Sequence, residues 1–367
     1  MDFSPALVRR TARLKTPALL LDRRLVRQMY RTVREAVPGV DILYAVKANP
    51  HPAVLRALAQ EGCGFELSSI PELEAVLALG VPPEQLISSN PIKAVEFVRR
   101  CTEAGLRAFA FDSRAEVDKL AEHAPGSQVY LRIVVDNTGS EWPLSKKFGV
   151  NASEALELFV YAKELGLEPY GITFHVGSQC LNKDNWVNAL YLAGELISVA
   201  ARHGIHLSML SLGGGLPVRH TKPIPTFEEI GEGIARALKE AVPPGLRLTM
   251  EPGRALVGEA AVLVTTVIGK AVRGLDEWLY TDVGVFNGLM ETVGGLKYEL
   301  CTERTGPLRT YTVAGPSCDS FDVMFQGLAL PEMQVGDRLY VMNAGAYTSC
   351  YASSFNGFPP PRVHVVG

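Results

Sequence analysis

Residues 42–47 read ILYAVK: five apolar residues in a row, closed by Lys47. So short and continuous an apolar run suits a strand covered on both faces, as in a parallel sheet. Seven similar runs recur through the first two thirds of the chain. They begin near Gly64 (GFELSS), Gln85 (QLISSN), Arg107 (RAFAFDS), Gln128 (QVYLRIVVD), Glu168 (EPYGITFHVG), Met209 (MLSLGGG) and Arg247 (RLTMEPG). Between them, residues 51–60, 70–79 and 152–165 place apolar side chains at helical spacing. The early strand starts lie about 22 residues apart, enough for one strand, one helix and two loops. Eight strands alternating with helices predict a (β/α)8 barrel over residues 23–250. A doubly wound open sheet is the alternative that the same alternation permits.

After Glu251 the rhythm changes. Residues 262–268, 278–283, 309–313 and 338–342 are rich in Val, Thr and Tyr and are separated by Gly, Pro and charge. They predict a mainly antiparallel β domain over residues 251–367. Residues 16–22 (TPALLLD) are expected to join it, so that 1–22 and 251–367 form one domain. Residues 23–37 are expected to be a helix leading into the barrel.

Bulk properties narrow the partners. A chain of 367 residues exceeds one ordinary core, and 47% apolar with 20% charged residues is a globular composition. The net charge is −3, with no basic run, which argues against nucleic acid and anionic membrane. The longest apolar stretch, near residues 260–268, is about half of the roughly 20 residues a span requires. The first residues, MDFSP, do not read as a signal peptide. Six cysteines are scattered singly, without a C-x-x-C pair, which predicts neither a disulfide framework nor a metal site. The expected location is cytoplasmic.

In such barrels chemistry gathers where the strands end, and here the unusual residues fall at those ends. Lys47 closes strand 1, Glu66 strand 2, and His175 with Ser178 strand 6. Gly213, Gly214 and Gly215 close strand 7, and Glu251 with Arg254 strand 8. A lysine shielded from water at a strand end loses proton affinity and becomes nucleophilic. Read blandly, it is an ion-paired or snorkelling lysine. The glycine triplet exposes backbone N–H groups fit for a phosphate, or is a plain turn; Arg254 would add a charge-assisted contact. Glu251 is placed to keep a pyridine nitrogen protonated, or to form a structural ion pair. His175 offers a flat ring for stacking, or is a satisfied core histidine.

Six ordered motifs make these residues recognisable: YAVKAN (44–49), HVGS (175–178), GGG (213–215), EPGR (251–254), GPSCD (315–319) and NAGAY (343–347). Together they resemble the ornithine/diaminopimelate/arginine decarboxylase family, fold-type III enzymes with an alanine-racemase-like barrel and a β domain. Cys318-Asp319, followed by Ser-Phe-Asp, resembles the ornithine branch of bacterial type, where diaminopimelate decarboxylases typically carry Cys-Glu-Ser. The tail from Tyr347 through residues 353–358 (SSFNGF) is also similar to that branch.

The resemblance implies pyridoxal 5′-phosphate as cofactor and decarboxylation of a small diamino acid, ornithine to putrescine. It implies Lys47 as the Schiff-base lysine, His175 against the cofactor ring, and Glu251 on the pyridine nitrogen. Ser178, Gly213, Gly214, Gly215, Arg254 and Tyr347 would hold the phosphate, with Arg132 and Gly253 in the cofactor pocket and Tyr347 also near substrate. Cys318 would protonate the product carbanion and Asp319 grip the distal amine. Both would enter from a partner subunit, in a homodimer with shared active sites.

Two departures from the family pattern stand out. Glu66 replaces its usual aspartate, which leaves open how that carboxylate positions Lys47 or the ring. The segment after Gly284 does not match, so Glu291 is either a second substrate carboxylate or a solvated charge. The competing readings are a lysine or arginine decarboxylase, a racemase of the same fold, and an inactive antizyme-inhibitor-like binding protein. The Cys-Asp motif argues against a racemase, and the joint presence of Lys47, Glu251 and Cys318 against an inactive protein.

Overall fold

The computed structural model describes residues 1–144 and 146–367. It divides into two compact units: Gln28–Pro217 with Ile224–Gly253, and Met1–Arg27 with Val218–Pro223 and Arg254–Gly367. Relative to the expected bounds, residues 23–27 and 218–223 move to the β unit and 251–253 to the barrel.

All eight expected barrel strands are present. They are strand 1 (Asp41–Ala45), 2 (Gly64–Glu66), 3 (Leu86–Ile87), 4 (Ala108–Phe111), 5 (Gln128–Arg132), 6 (Glu168–Thr173), 7 (Met209–Ser211) and 8 (Arg247–Met250). Their order is 3-2-1-8-7-6-5-4, every neighbouring pair parallel. Between strands 3 and 4 there is no ladder, only a parallel bridge of Ser88 with Phe109. Ser88 N donates to Ala108 O at 3.2 Å and Ala110 N to Ser88 O at 2.8 Å. That bridge brings the first and last strands of the sheet together, so the open doubly wound sheet does not hold.

The continuity of the apolar runs has its cause in burial on both faces. Leu43, Ile87, Ala108, Ala110, Tyr130 and Met209 form one interior cluster. Burying a side chain the size of Leu or Ile there contributes about 1.5–3 kcal/mol. Strands 6 and 7 approach closely at Gly171, where any Cβ would lie 2.3 Å from Met209 O. The helices Pro52–Ala59, Ile70–Leu77 and Ala152–Glu164 fall on the periodic segments. Thr226 and Glu229 cap the helix Phe227–Ala241 reciprocally: Glu229 N donates to Thr226 Oγ1 at 3.1 Å, and Thr226 N to Glu229 Oε2 at 2.9 Å.

In the other unit, strands run in the order Leu300–Thr302, Arg338–Val341, Ala261–Arg273, Asp276–Thr281, Leu308–Ala314, Val323–Pro331. Ala18–Asp22 pairs antiparallel with the first half of Ala261–Arg273 and parallel with Arg362–Val366. Asp276–Thr281 and Leu308–Ala314 are also parallel, so the sheet is mainly, not wholly, antiparallel. Leu7, Leu20, Val262, Val264, Tyr340 and Met342 form a core of this unit. The helix Arg23–Ala36 follows directly on Ala18–Asp22. No helix among the described residues is long and apolar enough to cross a membrane.

Candidate active site

Strand 1 ends in a 3-10 turn, Val46–Ala48, that carries Lys47. The Lys47 side chain is half exposed, and its Nζ donates to Glu66 Oε2 at 3.0 Å. Glu66 is the last residue of the neighbouring strand 2 and is buried. Its other oxygen accepts from Ser68 Oγ at 3.1 Å. The longer glutamate therefore still meets the lysine.

Glu251, directly after strand 8, is buried, and its hydrogen bonds come from hydroxyls. Ser211 Oγ donates to its Oε1, and the Ser89 hydroxyl helps to hold its pKa down. Burial raises its pKa first, and the charge on Glu66 raises it further; the two serines and Lys47 act the other way. Ser89 in turn shares a 2.8 Å hydrogen bond with Tyr130 OH in the barrel interior. Ser89, Ser211 and Tyr130 were not singled out from sequence. Ser211 ends strand 7 and Ser89 follows strand 3, so the strand-end criterion that selected Lys47 would also have reached them.

His175 follows strand 6. Burial pushes its pKa well down, helped by Arg132 and Lys47, so the ring is neutral. Gly177 N donates to Nδ1 at 3.0 Å, which places the ring proton on Nε2. Asn137 Nδ2 holds the His175 carbonyl at 2.9 Å. Arg132 ends strand 5 with its guanidinium 5.4 Å from the Phe148 ring centroid. Burial lowers its pKa, while Glu251, Asp112 and Glu66 oppose that shift. Ser178 opens a short strand, Ser178–Cys180, paired with Ser140–Trp142.

The glycine triplet is a required shape. A Cβ on Gly213 (φ +61) would lie 1.9 Å from Phe174 O, and one on Gly215 (φ +115) 2.5 Å from Gly177 O. On Gly214 it would sit 2.7 Å from Glu251 O and 3.1 Å from His175 Nε2. Gly213 N already donates to Ser211 Oγ at 3.2 Å. Pro252 O, between Glu251 and Gly253, accepts from Ala45 N at 3.2 Å and ties this turn to strand 1.

The remaining expected residues lie in the β unit. Arg254 opens a short helix, Arg254–Val257, and is buried. Its NH1 donates to Glu291 Oε2 at 2.8 Å and its NH2 to Glu291 Oε1, while the guanidinium carbon stands 5.0 Å from the Tyr347 ring centroid. Tyr298 OH also donates to Glu291, at 3.3 Å. Glu291 is thus not a solvated charge, and a substrate role would require it to leave Arg254. Desolvation acts against the guanidinium charge, but Glu291 outweighs it and keeps Arg254 firmly protonated. Cys318 is exposed, with N and Sγ each 3.1 Å from Asn356 Oδ1. Asp319, also exposed, accepts from Phe321 N at 2.8 Å.

His220 packs edge-on against Tyr298, with ring centroids 4.9 Å apart. Neither ring nitrogen has a hydrogen-bond partner among the described residues. Burial, then Arg254, pushes its pKa down to about 3 from an unfolded value near 6.5. The unfolded chain therefore takes up a proton that the folded one refuses, and stability is lost as pH falls from about 6.5 towards 3. By pH 5 the loss from His220 is about 2 kcal/mol. Urea unfolding at pH 7 and pH 5 should show a smaller acid loss in His220→Phe than in the parent; equal losses would contradict it.

A buried glutamate whose carboxylate accepts from a hydroxyl, beside a neutral aromatic ring and a glycine cradle, can take a cationic partner. A protonated pyridine nitrogen would be that partner, and Lys47 provides an amine for a carbonyl; the barrel is thus of the pyridoxal-dependent class. Residues 23–258 match the family described as "Pyridoxal-dependent decarboxylase, pyridoxal binding domain". The lysine/ornithine decarboxylase of Selenomonas ruminantium is 37% identical over 94% of this chain and 88% of its own length. A crystal structure of an SrLDC mutant in complex with PLP superposes with TM-score 0.94 at 35% identity, covering 100% of this chain and 96% of that one. The lysine/ornithine decarboxylase of Vibrio vulnificus complexed with putrescine gives 0.92 at 31%, covering 100% and 99%. The chain belongs to the pyridoxal-dependent ornithine, lysine and arginine decarboxylase family, and its cofactor is pyridoxal phosphate. It is an enzyme of basic amino-acid decarboxylation.

Proposed function

We propose that the substrate is a diamino acid, L-ornithine before lysine or arginine, with putrescine and CO2 as products. The observation that carries this is the exposed Cys318-Asp319 pair. A thiol and a carboxylate stand on adjacent residues of one turn, and Asp322 fixes that turn by accepting from Ser317 N at 3.0 Å and Val285 N at 2.7 Å. A thiol can return a proton to Cα, and a carboxylate beside it can hold a second ammonium. Glu291 is committed to Arg254, and Asp319 is the carboxylate that the resemblance assigns to the distal amine. An apolar substrate would leave that group unpaired, a penalty of roughly 1–3 kcal/mol.

When bound, pyridoxal phosphate supplies a ring that accepts the electron pair left at Cα as CO2 departs. In this reading Glu251 keeps the proton on the ring nitrogen, and Ser211 and Ser89 hold its carboxylate in place. His175, neutral, would hold a face of the ring and add no competing charge. Glu66 holds Lys47 Nζ in position to exchange with the substrate amine. Arg132, Ser178, the three glycines and Gly253 would hold the cofactor from the barrel, and the resemblance assigns Arg254 and Tyr347 to it as well. Cys318 delivers the proton to Cα.

The resemblance places Cys318 and Asp319 in the site of a second copy, and their exposure, with Phe321 and Phe355 exposed nearby, supports a homodimer. Two tests follow. CO2 release is measured with ornithine, lysine, arginine and meso-diaminopimelate offered separately. Dominant ornithine turnover supports the proposal, and preference for another of the four rejects the ornithine reading while keeping the class. Separately, Lys47→Ala and Cys318→Ala proteins, each inactive alone, are mixed after dissociation. Recovery of about a quarter of parental activity is expected if each site draws on both chains. No recovery from a reassembled mixture would reject the shared site.

A further inference from the structure

The barrel's weakest seam lies beside the pocket for the ring nitrogen, and a buried lysine spans it. Strand 3 is only two residues long, and its pairing with strand 4 stops at the Ser88 bridge. A further rung would place the Asn90 N–H on Ala110 O, but Pro91 turns the chain away. Lys93 Nζ takes that acceptor instead. It donates to Ala110 O at 2.5 Å and to Asn90 O at 3.0 Å, and lies 2.9 Å from Glu116 Oε1. Pro91 O, at 3.5 Å, is a fourth and longer acceptor for its three ammonium protons, and the side chain is fully buried.

Glu116, in the first turn of the helix Arg114–His123, is itself buried. It also accepts from Lys93 N at 3.2 Å and from Lys119 Nζ at 2.6 Å, and Lys119 reaches Lys93 O at 2.7 Å. Desolvation lowers the Lys93 pKa to about 8, against the pull of Glu116. Buried ion pairs of this kind are seldom the most stable filling for a core. What this one secures is a position. Ser89 lies between the bridge residue Ser88 and Asn90, whose carbonyl Lys93 holds. Its hydroxyl shares a 2.8 Å hydrogen bond with Tyr130 OH and helps hold down the pKa of Glu251.

We propose that Lys93, anchored by Glu116, staples the seam between strands 3 and 4 and so sets the Ser89 hydroxyl against Glu251. It is a positioning residue for the cofactor ring, acting through Ser89 without touching the ring.

The test reads cofactor release from holoenzyme, followed as decay of bound-cofactor absorbance after mixing with a scavenger of free pyridoxal phosphate. Ser89→Ala is expected to release cofactor roughly ten-fold faster. Lys93→Met is expected to do the same, and the double variant to be no faster than Ser89→Ala alone. Parental release in folded Lys93→Met, or effects that multiply in the double variant, would overturn the proposal. Should Lys93→Met not fold, Glu116→Gln decides. It is expected to speed release less, and to add nothing in the Ser89→Ala background. A lowered melting temperature with parental release would mark the cluster as merely structural, and the staple would be rejected.

Discussion

Lys47→Ala protein loaded with pyridoxal phosphate is expected to lose CO2 release by on the order of 10⁴-fold or more. Lys47 closes strand 1, and its Nζ is held 3.0 Å from the buried Glu66 carboxylate while its stem remains half exposed. A lysine so placed can exchange partners without leaving the rim, and no serine or histidine near it can replace an amine. The same variant should bind the cofactor without the visible absorbance of a covalently held ring, and reducing agent should fix no cofactor to the chain. The measurement is CO2 release alongside mass of the borohydride-reduced protein. Activity within a hundred-fold of the parent, or cofactor mass retained after reduction, would mean that another amine serves.

Glu291→Ala is expected to destabilise the protein by about 3–5 kcal/mol. Both oxygens of Glu291 are engaged by Arg254, and Tyr298 adds a third bond in the same buried cluster. Removing the carboxylate strands a guanidinium away from water. Glu291→Gln, which keeps the shape and one acceptor, should lose less. Denaturant midpoints distinguish this from a substrate role: an unchanged midpoint with a raised KM for diamino acids would restore Glu291 to the substrate pocket.

The two halves of the molecule were unequally legible. Barrel strands such as Ala108–Phe111 are buried on every residue, so hydrophobicity alone marks them. The β unit hides its strands. Ala261–Arg273 is apolar and buried over its first half, which sequence reveals, and runs out into solvent as Lys270, Val272 and Arg273, which it does not. Val323–Pro331 was missed because Gly327, at φ +68, and a terminal proline read as loop. Leu300–Thr302 is too short to carry a pattern.

The site divides in the same way. Strand ends disclosed Lys47, Glu66, His175, the glycines and Glu251, because barrel topology brings those ends to one rim. Pairings across space stayed hidden. Nothing local tells that Glu66 meets Lys47, that Glu291 meets Arg254, or that Ser89 meets Tyr130. Serine is too common for its presence to signal a partner 41 residues away.

Ala18–Asp22, a strand from one end of the chain, lies between Ala261–Arg273 and Arg362–Val366 from the other. During synthesis this early strand leaves the ribosome long before either neighbour exists. At roughly 5–20 residues per second, the 344 residues between Ala18 and Arg362 correspond to a wait of roughly 17–70 s. The barrel can assemble in that interval from segments that emerge in order. The β unit cannot: Leu19, Leu20 and Leu21 have no neighbouring strand until residues 261–264 emerge and lack the second until Arg362–Val366, so a nascent chain stalled before residue 261 would present them to chaperones.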